Sequence, residues 1–404
     1  MVVTAEEEIR RRIRGDGRIN FAEFMKLALY WPHKGYYSSK SPVGVEGDYY
    51  TSPGAHPVFG ALLAVQLYQM WRLLGRPRPF WVLEVGAGIG LLCHDVLNYS
   101  QYLPGNFQHC LRYSCIDVRL GRGIEDQLPY NLRSRVDRVA GNFPFTNLEG
   151  CILSNELIDA FPVHRIVMRN GELREVYITL KCGKYEEVLG EPSTEALEER
   201  FMRLGIRLPE GYTTEVNLAM EAWLQKAALA LRRGYILTID YGREAAELYS
   251  EARARGTLTC YYRHVQTDNP YVHVGEQDIS AQVDFSTLKQ VGEDNGLNAV
   301  GELSQETFLS NLCIRQMISG VGTKGLGQQQ RDANRMGMLD LIRPGGLGGF
   351  RVLVQEKDAP SYPLWGFDRG EDMQELLADL PVPLLTALHM PLLQGSYPHL
   401  AMDW

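Results

Sequence analysis

Along the chain, short unbroken apolar runs alternate with stretches in which apolar residues recur every three or four positions. Val58–Leu74 has helical spacing until Gly75, Pro77 and Pro79 stop it. Phe80–Val85 then reads as a buried strand that runs directly into Gly86-Ala87-Gly88-Ile89-Gly90, with a helix expected over Leu91–Leu97. Further strands are expected at Leu111–Val118, Val136–Ala140, Cys151–Ser154, Tyr235–Asp240 and Phe350–Gln355. Residues 163–190 alternate over shorter distances, broken by Asn170-Gly171 and Cys182-Gly183, a pattern of β-hairpins. Glu215–Arg233 reads as an amphipathic helix with Arg232 and Arg233 in its last turn and Gly234 just beyond. A first helix is expected where Glu6, Glu7 and Glu8 favour its N-terminus, while His33–Pro57 reads as ordered loop. Residues 358–404 carry six prolines and one expected helix near Asp372–Leu380. Strands alternating with helices predict an α/β fold around a mostly parallel, helix-covered sheet.

Charge and composition narrow the classes. The chain has 41 basic and 49 acidic side chains, a net of −8, which argues against a nucleic-acid sleeve built on clustered Lys and Arg. Hydrophobic residues at 45% suit a folded core, and no run approaches the roughly 18 apolar residues of a membrane span. The seven cysteines form no CxxC pair and read as reduced thiols; the nine histidines never fall at metal-ligand spacing, so no metal is expected. Because the first residues mix acids with arginines around no long apolar centre, neither a secretory signal nor a transit peptide is expected, and a cytoplasmic location is.

The chemistry concentrates at strand ends. Glycines after a buried strand allow a tight turn and close approach of backbone amides to a ligand. The spacing here is G-x-G-x-G, and Leu91 stands where a dinucleotide fingerprint needs glycine. Glu84 brings a carboxylate to this turn, which suits an ammonium better than a pyrophosphate. S-adenosylmethionine offers that ammonium and no phosphate; a plain strand–helix turn is the bland alternative. Asp117, at the end of the second strand, is placed to accept ribose hydroxyls, or else to cap a helix. Asn142 and Phe143 after the third strand are candidates for adenine contact, though Gly141-Asn142 is also ordinary turn chemistry. Beyond the fourth strand, Asn155 leads into Glu156 and Asp159, three apart and on one face if a helical turn starts there. Two carboxylates so placed can hold a planar guanidinium, or can cap a helix start. The polar stretch 256–285 gathers Tyr261, Tyr262, Arg263, His264, Glu276, Asp278 and Asp284, as a functional loop or a surface excursion.

Taken together, Arg18-Ile-Asn-Phe-Ala-Glu-Phe-Met, Gly47-Asp-Tyr-Tyr-Thr-Ser-Pro53, Glu84-Val-Gly-Ala-Gly-Ile-Gly, Ser154-Asn-Glu-Leu-Ile-Asp-Ala-Phe-Pro-Val, Ile239-Asp-Tyr-Gly and Gly275-Glu-Gln-Asp-Ile-Ser-Ala-Gln-Val-Asp-Phe resemble the MidA-like (DUF185) class I S-adenosylmethionine methyltransferases. The resemblance covers about residues 10–355. It implies a Rossmann-like class I core with an inserted α+β region covering the substrate. The expected organisation is a helical and loop segment covering the cofactor site at 1–57, the first part of the core at 58–162, a hairpin insertion at 163–214, and the second part at 215–357. That second part includes a polar substrate-side insertion at about 250–330, and 358–404 is an extension. S-adenosyl-L-methionine is the implied cofactor, with Glu84, Gly86, Ala87, Gly88, Gly90, Asp117, Asn142, Phe143, Asn155 and Thr51 at its site. Glu156, Asp159 and Asp278 are the implied catalytic residues. The implied activity is protein arginine N-methylation of the symmetric dimethylarginine type, on a partner such as a respiratory complex I subunit. The expected partners are a protein with an accessible arginine and a second copy of the chain, with no nucleic acid and no membrane insertion. This sequence departs from the pattern at Ala87 and Ile89, where relatives carry proline and arginine, at Asp117, where Glu is usual, and at Gln282, where His is usual. A scaffold that has lost catalysis, or a methyltransferase for small molecules or other side chains, remain the alternatives.

Overall fold

The computed structural model describes residues 3–39, 51–118, 123–141, 145–263, 265–389, 395 and 397–400. A seven-stranded sheet organises them. Its strands are β1 (Phe80–Val85), β2 (Leu111–Asp117), β3 (Val136–Ala140), β4 (Leu148–Asn155), β5 (Leu231–Asp240), β6 (Asn298–Ser304) and β7 (Arg351–Lys357). They lie in the order β3-β2-β1-β4-β5-β7-β6, parallel from β3 to β5, with β7 antiparallel to both its neighbours. Pairing switches sides at β1, which lies between β2 and β4. Ligands of open parallel sheets bind beyond strand C-termini at such a switch, and the glycine loop follows β1 there.

Successive strand residues point to opposite faces, so the unbroken apolar runs bury both. Val82, Leu153, Leu237 and Val352 join one core, while Leu83, Ile152, Ile236 and Leu353 join the other. Two N-terminal helices, α1 (Ala5–Asp16) and α2 (Phe21–Tyr30), stand apart from this sheet. They share a third core with Val163, Val176, Ile178, Cys260 and Ile279. The first central face is covered by α3 (Val58–Leu73) and α4 (Leu91–Ser100), the second by α5 (Ala219–Ala230) and α6 (Phe285–Asp294). A further helix, α7 (Gln328–Asp340), packs near the short helix Ser52–Ala55.

The hairpin pattern corresponds to antiparallel strands His164–Arg169, Glu172–Lys181 and Lys184–Gly190. A small three-stranded sheet (Thr259–Tyr262, Val265–Thr267, Asp278–Ser280) lies in the polar stretch. Two differences from the sequence reading have clear causes. Arg232 and Arg233 lie in β5 and not at a helix end, because from Leu231 onward the chain pairs with β4 and both guanidinium groups reach Glu149 (2.6 and 3.4 Å). The second is that Phe21–Tyr30, to which the sequence reading assigned no element, is α2: its Phe21, Phe24, Met25, Leu27, Ala28 and Leu29 are buried and its start is capped by Asn20, accepting the Glu23 N–H at 2.9 Å.

Candidate active site

At the end of β1 the chain turns through Gly86 (φ 77°), Gly88 (φ 53°) and Gly90 (φ 83°), all left-handed and favourable only for glycine. The N–H groups of Gly86 and Ala87 donate to the carbonyl of Ile116 on β2, at 2.8 and 3.3 Å. A Cβ on Gly86 would lie 2.9 Å from Leu157 Cδ1, so the turn after β4 packs directly on the loop. Among the described residues, a Cβ on Gly88 would meet nothing within 4 Å, which leaves room for a ligand to approach the backbone. Gly88 is held on both sides of its peptide units: its N–H donates to Asp117 Oδ2 (2.8 Å) and its carbonyl accepts from Arg138 Nη2 on β3 (3.0 Å).

Glu84 braces this loop from below. Its carboxylate is 4% exposed, accepts the Tyr113 hydroxyl at 2.8 Å, and takes the N–H of Cys93 in the first turn of α4. Gly90, at the N-cap of α4, has no side chain to satisfy those first amides. Burial pushes the Glu84 carboxyl up to about 8, with the Tyr113 hydrogen bond opposing.

The acceptor side begins where β4 ends. Glu156 has φ 50°, an uncommon backbone state for a residue with a Cβ, held by its N–H donating to Ile239 O at 2.8 Å. Its Oε1 accepts the Ser52 N–H and an Asn155 Nδ2–H, both at 2.9 Å. Burial pushes its carboxyl up to about 8, and the nearby charge of Asp159 adds to this. The following turn is gathered by a fully buried carboxylate: Asp240 Oδ2 accepts N–H groups from Leu157, Ile158 and Asp159 at 3.2, 2.8 and 3.4 Å. Oδ1 of Asp240 accepts the Tyr241 N–H at 2.9 Å. Burial drives Asp240 well up as well, with Asp159 and Glu156 contributing.

Asp159 is 7% exposed and its Oδ1 has no hydrogen-bond partner among the described residues; the same holds for Asn155 Oδ1. Burial raises the Asp159 carboxyl to about 6 against the pull of Tyr241. Asp278 faces this group from the small sheet, accepting the Tyr37 hydroxyl at 2.7 Å. Two residues on, Ser280 accepts the Tyr241 hydroxyl at 2.5 Å, and Ala281 N–H donates to Asp159 O at 3.0 Å. Tyr30 stacks on Tyr37 with ring centroids 5.5 Å apart and donates to Ala160 O at 2.8 Å. The result is a largely buried acidic cluster bordered by tyrosines. Orphaned buried acceptors call for donors, and a cationic, many-donor guest fits.

The structure thus brings the glycine loop, Asp117, Asn155, Glu156, Asp159 and Asp278 to one end of the sheet. Thr51 itself makes no side-chain cap bond; the segment's contact with the site runs through the neighbouring Ser52 amide. Asn142, Phe143 and His264 lie outside the described residues. Asp284 sits elsewhere, as N-cap of α6, accepting the Thr287 N–H at 3.0 Å. Gln282 donates its N–H to Thr257 Oγ1 at 3.1 Å, while its own Oε1 is buried without a partner among the described residues. Sequence reasoning missed Arg138, Tyr30, Tyr37 and the structural role of Asp240. Asp240 was within reach, since it ends a buried strand just as Asn155 does; the others contact the site across the fold.

The S-adenosyl-L-methionine-dependent methyltransferase family model matches residues 62–303. A Drosophila melanogaster protein named "Protein arginine methyltransferase NDUFAF7 homolog, mitochondrial" is 26% identical over 397 residues, covering 89% of this chain and 88% of its own length. The Homo sapiens protein arginine methyltransferase NDUFAF7, mitochondrial, is 26% identical, covering 75% of this chain and 72% of its own. A Burkholderia thailandensis protein solved with bound S-adenosyl-homocysteine superposes with a TM-score of 0.80 at 27% identity, across 91% of this chain and 95% of that one. The cytoplasmic location expected from the sequence does not stand, because both named relatives are mitochondrial proteins. Its basis was the polar first segment, which folds into α1 with a capping box at Thr4 and Glu7. Three left-handed glycines after a buried strand form a turn whose backbone a ligand can approach closely, and the chain belongs to the S-adenosyl-L-methionine-dependent methyltransferase family.

Proposed function

We propose that this methyltransferase acts on protein arginine, with Glu156, Asp159 and Asp278 receiving the guanidinium and symmetric dimethylarginine as product. A respiratory complex I subunit is the partner class implied by the sequence resemblance, and the names of the relatives accord with an arginine substrate. The observation that carries the reading is the acidic cluster of Glu156, Asp159 and Asp278, in which a buried Asp159 oxygen has no hydrogen-bond partner among the described residues. A planar five-donor cation satisfies such a site.

Gly86, Gly88, Gly90, Asp117 and Asn155 are the residues proposed to hold the cofactor, which supplies an electrophilic methyl group on a sulfonium. The chain's own contribution is positioning and charge. Glu156 and Asp159 draw the guanidinium charge onto the nitrogens that do not attack, leaving lone-pair density on the one that does. That nitrogen must be held within roughly 3–3.5 Å of the methyl carbon. As the new C–N bond forms and the S–C bond breaks, the attacking nitrogen releases a proton. A carboxylate with a raised pKa, Glu156 or Asp159, is suited to take it.

The test is labelled methyl transfer from purified protein to a cell lysate, followed by acid hydrolysis and separation of amino acids. Label in dimethylarginine is expected; label confined to small metabolites or to lysine overturns the reading.

A further inference from the structure

The segment after β7 lies outside both the resemblance and the matched family region, yet it reaches the back of the cofactor helix. His389 is 0% exposed, and its Nε2–H donates to Asp95 Oδ2 at 2.9 Å; Nδ1 faces Thr386 Oγ1 at 2.9 Å. Asp95 lies on α4, is itself 5% exposed, and also meets His94 Nδ1 at 3.0 Å. One helical turn on, the Tyr99 hydroxyl donates to Pro381 O at 2.9 Å. The helix is therefore gripped from inside by Glu84 at Cys93 and from behind at Asp95 and Tyr99.

A second arm of the same segment runs to the acceptor side. Leu385 N–H donates to Asn334 Oδ1 at 2.8 Å, and the same oxygen accepts His56 Nε2–H at 3.1 Å. His56 Nδ1 takes the Val58 N–H at 3.0 Å, which sets its tautomer. His56 ends the short segment whose Ser52 amide lies on Glu156 Oε1. One stretch of nine residues thus ties the start of α4 to the strap over Glu156.

We infer that residues 381–389 are positioning residues for methyl transfer, with His389 acting through Asp95 to hold α4 and its glycine loop in the cofactor-binding arrangement. This rests on reading Gly86–Gly90 as the cofactor loop. Burial would push the Asp95 carboxyl up, but the His389 and His94 partners outweigh it and hold it below the usual range. Removing the imidazole leaves a buried carboxylate short of a donor, which the helix can relieve only by shifting.

The experiment measures S-adenosylmethionine affinity by calorimetry on the full chain, with thermal melts in parallel. His389→Ala should weaken binding about tenfold, the size expected for one lost hydrogen bond to a charged group. His389→Gln, which can still donate to Asp95, should recover most of it, and Tyr99→Phe should weaken binding a few-fold. Folded His389→Ala and Tyr99→Phe proteins that bind like wild type, with only the melting temperature lowered, would overturn the inference. If His389→Ala does not fold, Tyr99→Phe decides by the same measure. Gly88→Ala is the control for the loop reading: unchanged affinity there rejects that reading, whereas lost affinity there with unchanged Tyr99→Phe and His389 variants rejects only the role of the tail.

Discussion

Replacing Glu156 with Gln keeps the shape of the side chain and its acceptor oxygen for the Ser52 amide while removing the ionisable proton. The carboxyl sits at about 8, so near neutral pH most molecules carry it protonated and its charge is gained only as pH rises. If the ionised form is the one that draws guanidinium charge and takes the proton, wild-type kcat/KM should climb nearly tenfold per pH unit below about 8 and then level. A unit charge about 4 Å from a guanidinium is worth roughly 4 kcal/mol at an effective dielectric of 20. Only part of that is specific to the transition state, so a loss of about 100-fold or more in kcat is expected at pH 9. The assay is initial-rate methyl transfer to an arginine peptide from pH 6 to 9, beside calorimetric cofactor affinity. Glu156→Gln should lose the arm near 8 and retain cofactor affinity within about twofold. The variant would keep a weaker dependence near 6, where Asp159 titrates in concert with its neighbours. An unchanged pH arm in Glu156→Gln, or equal losses in rate and cofactor affinity, would refute the argument and move Glu156 to the cofactor side.

Four other substitutions separate the parts of the site. Gly86→Val should abolish cofactor binding chiefly because the side chain meets Leu157 in a left-handed backbone state, whereas Gly88→Ala, facing open space, should weaken binding with a stability cost of only about 1–2 kcal/mol; calorimetry and melting curves distinguish them. Arg138→Met removes the donor to Gly88 O and should raise KM for the cofactor several-fold while leaving KM for the peptide unchanged. For Glu84, the folded chain keeps a proton between about 4.5 and 8 that the unfolded chain has released. Its contribution therefore lowers stability as pH rises through that window, and Glu84→Gln should make the decline shallower by roughly 1.4 kcal/mol per pH unit. Denaturant unfolding at pH 5, 6 and 7 measures the slope; parallel curves for the two proteins would rule out the raised carboxyl.

What could be read directly were the local signals. A buried apolar run ending in three spaced glycines admits few structures other than a strand and a tight turn, because left-handed backbone is cheap only for glycine. Asn155-Glu156 after β4 was legible for the same reason, since strand ends line the crevice of a parallel sheet. The helix at Phe21–Tyr30 was also present in the pattern, with apolar residues at helical spacing behind Asn20, but the tyrosines, prolines and glycines that follow obscured it. Arg232 and Arg233 misled because their helix-end chemistry is equally compatible with an exposed strand start, and only the partner strand at Leu148 decides.

By itself, then, the order of residues determined the alternating elements, the glycine turn and the acids at the strand ends, each set by backbone sterics and burial within a few neighbours. Tertiary structure alone decided what those groups face. Glu84 turns inward to Tyr113 and Cys93, Asp240 collects three amides from a turn 81–83 residues away, and Tyr37 reaches Asp278 across 241 positions. Such contacts depend on which strands lie side by side, and strand order is a property of the whole packed sheet that no local window contains.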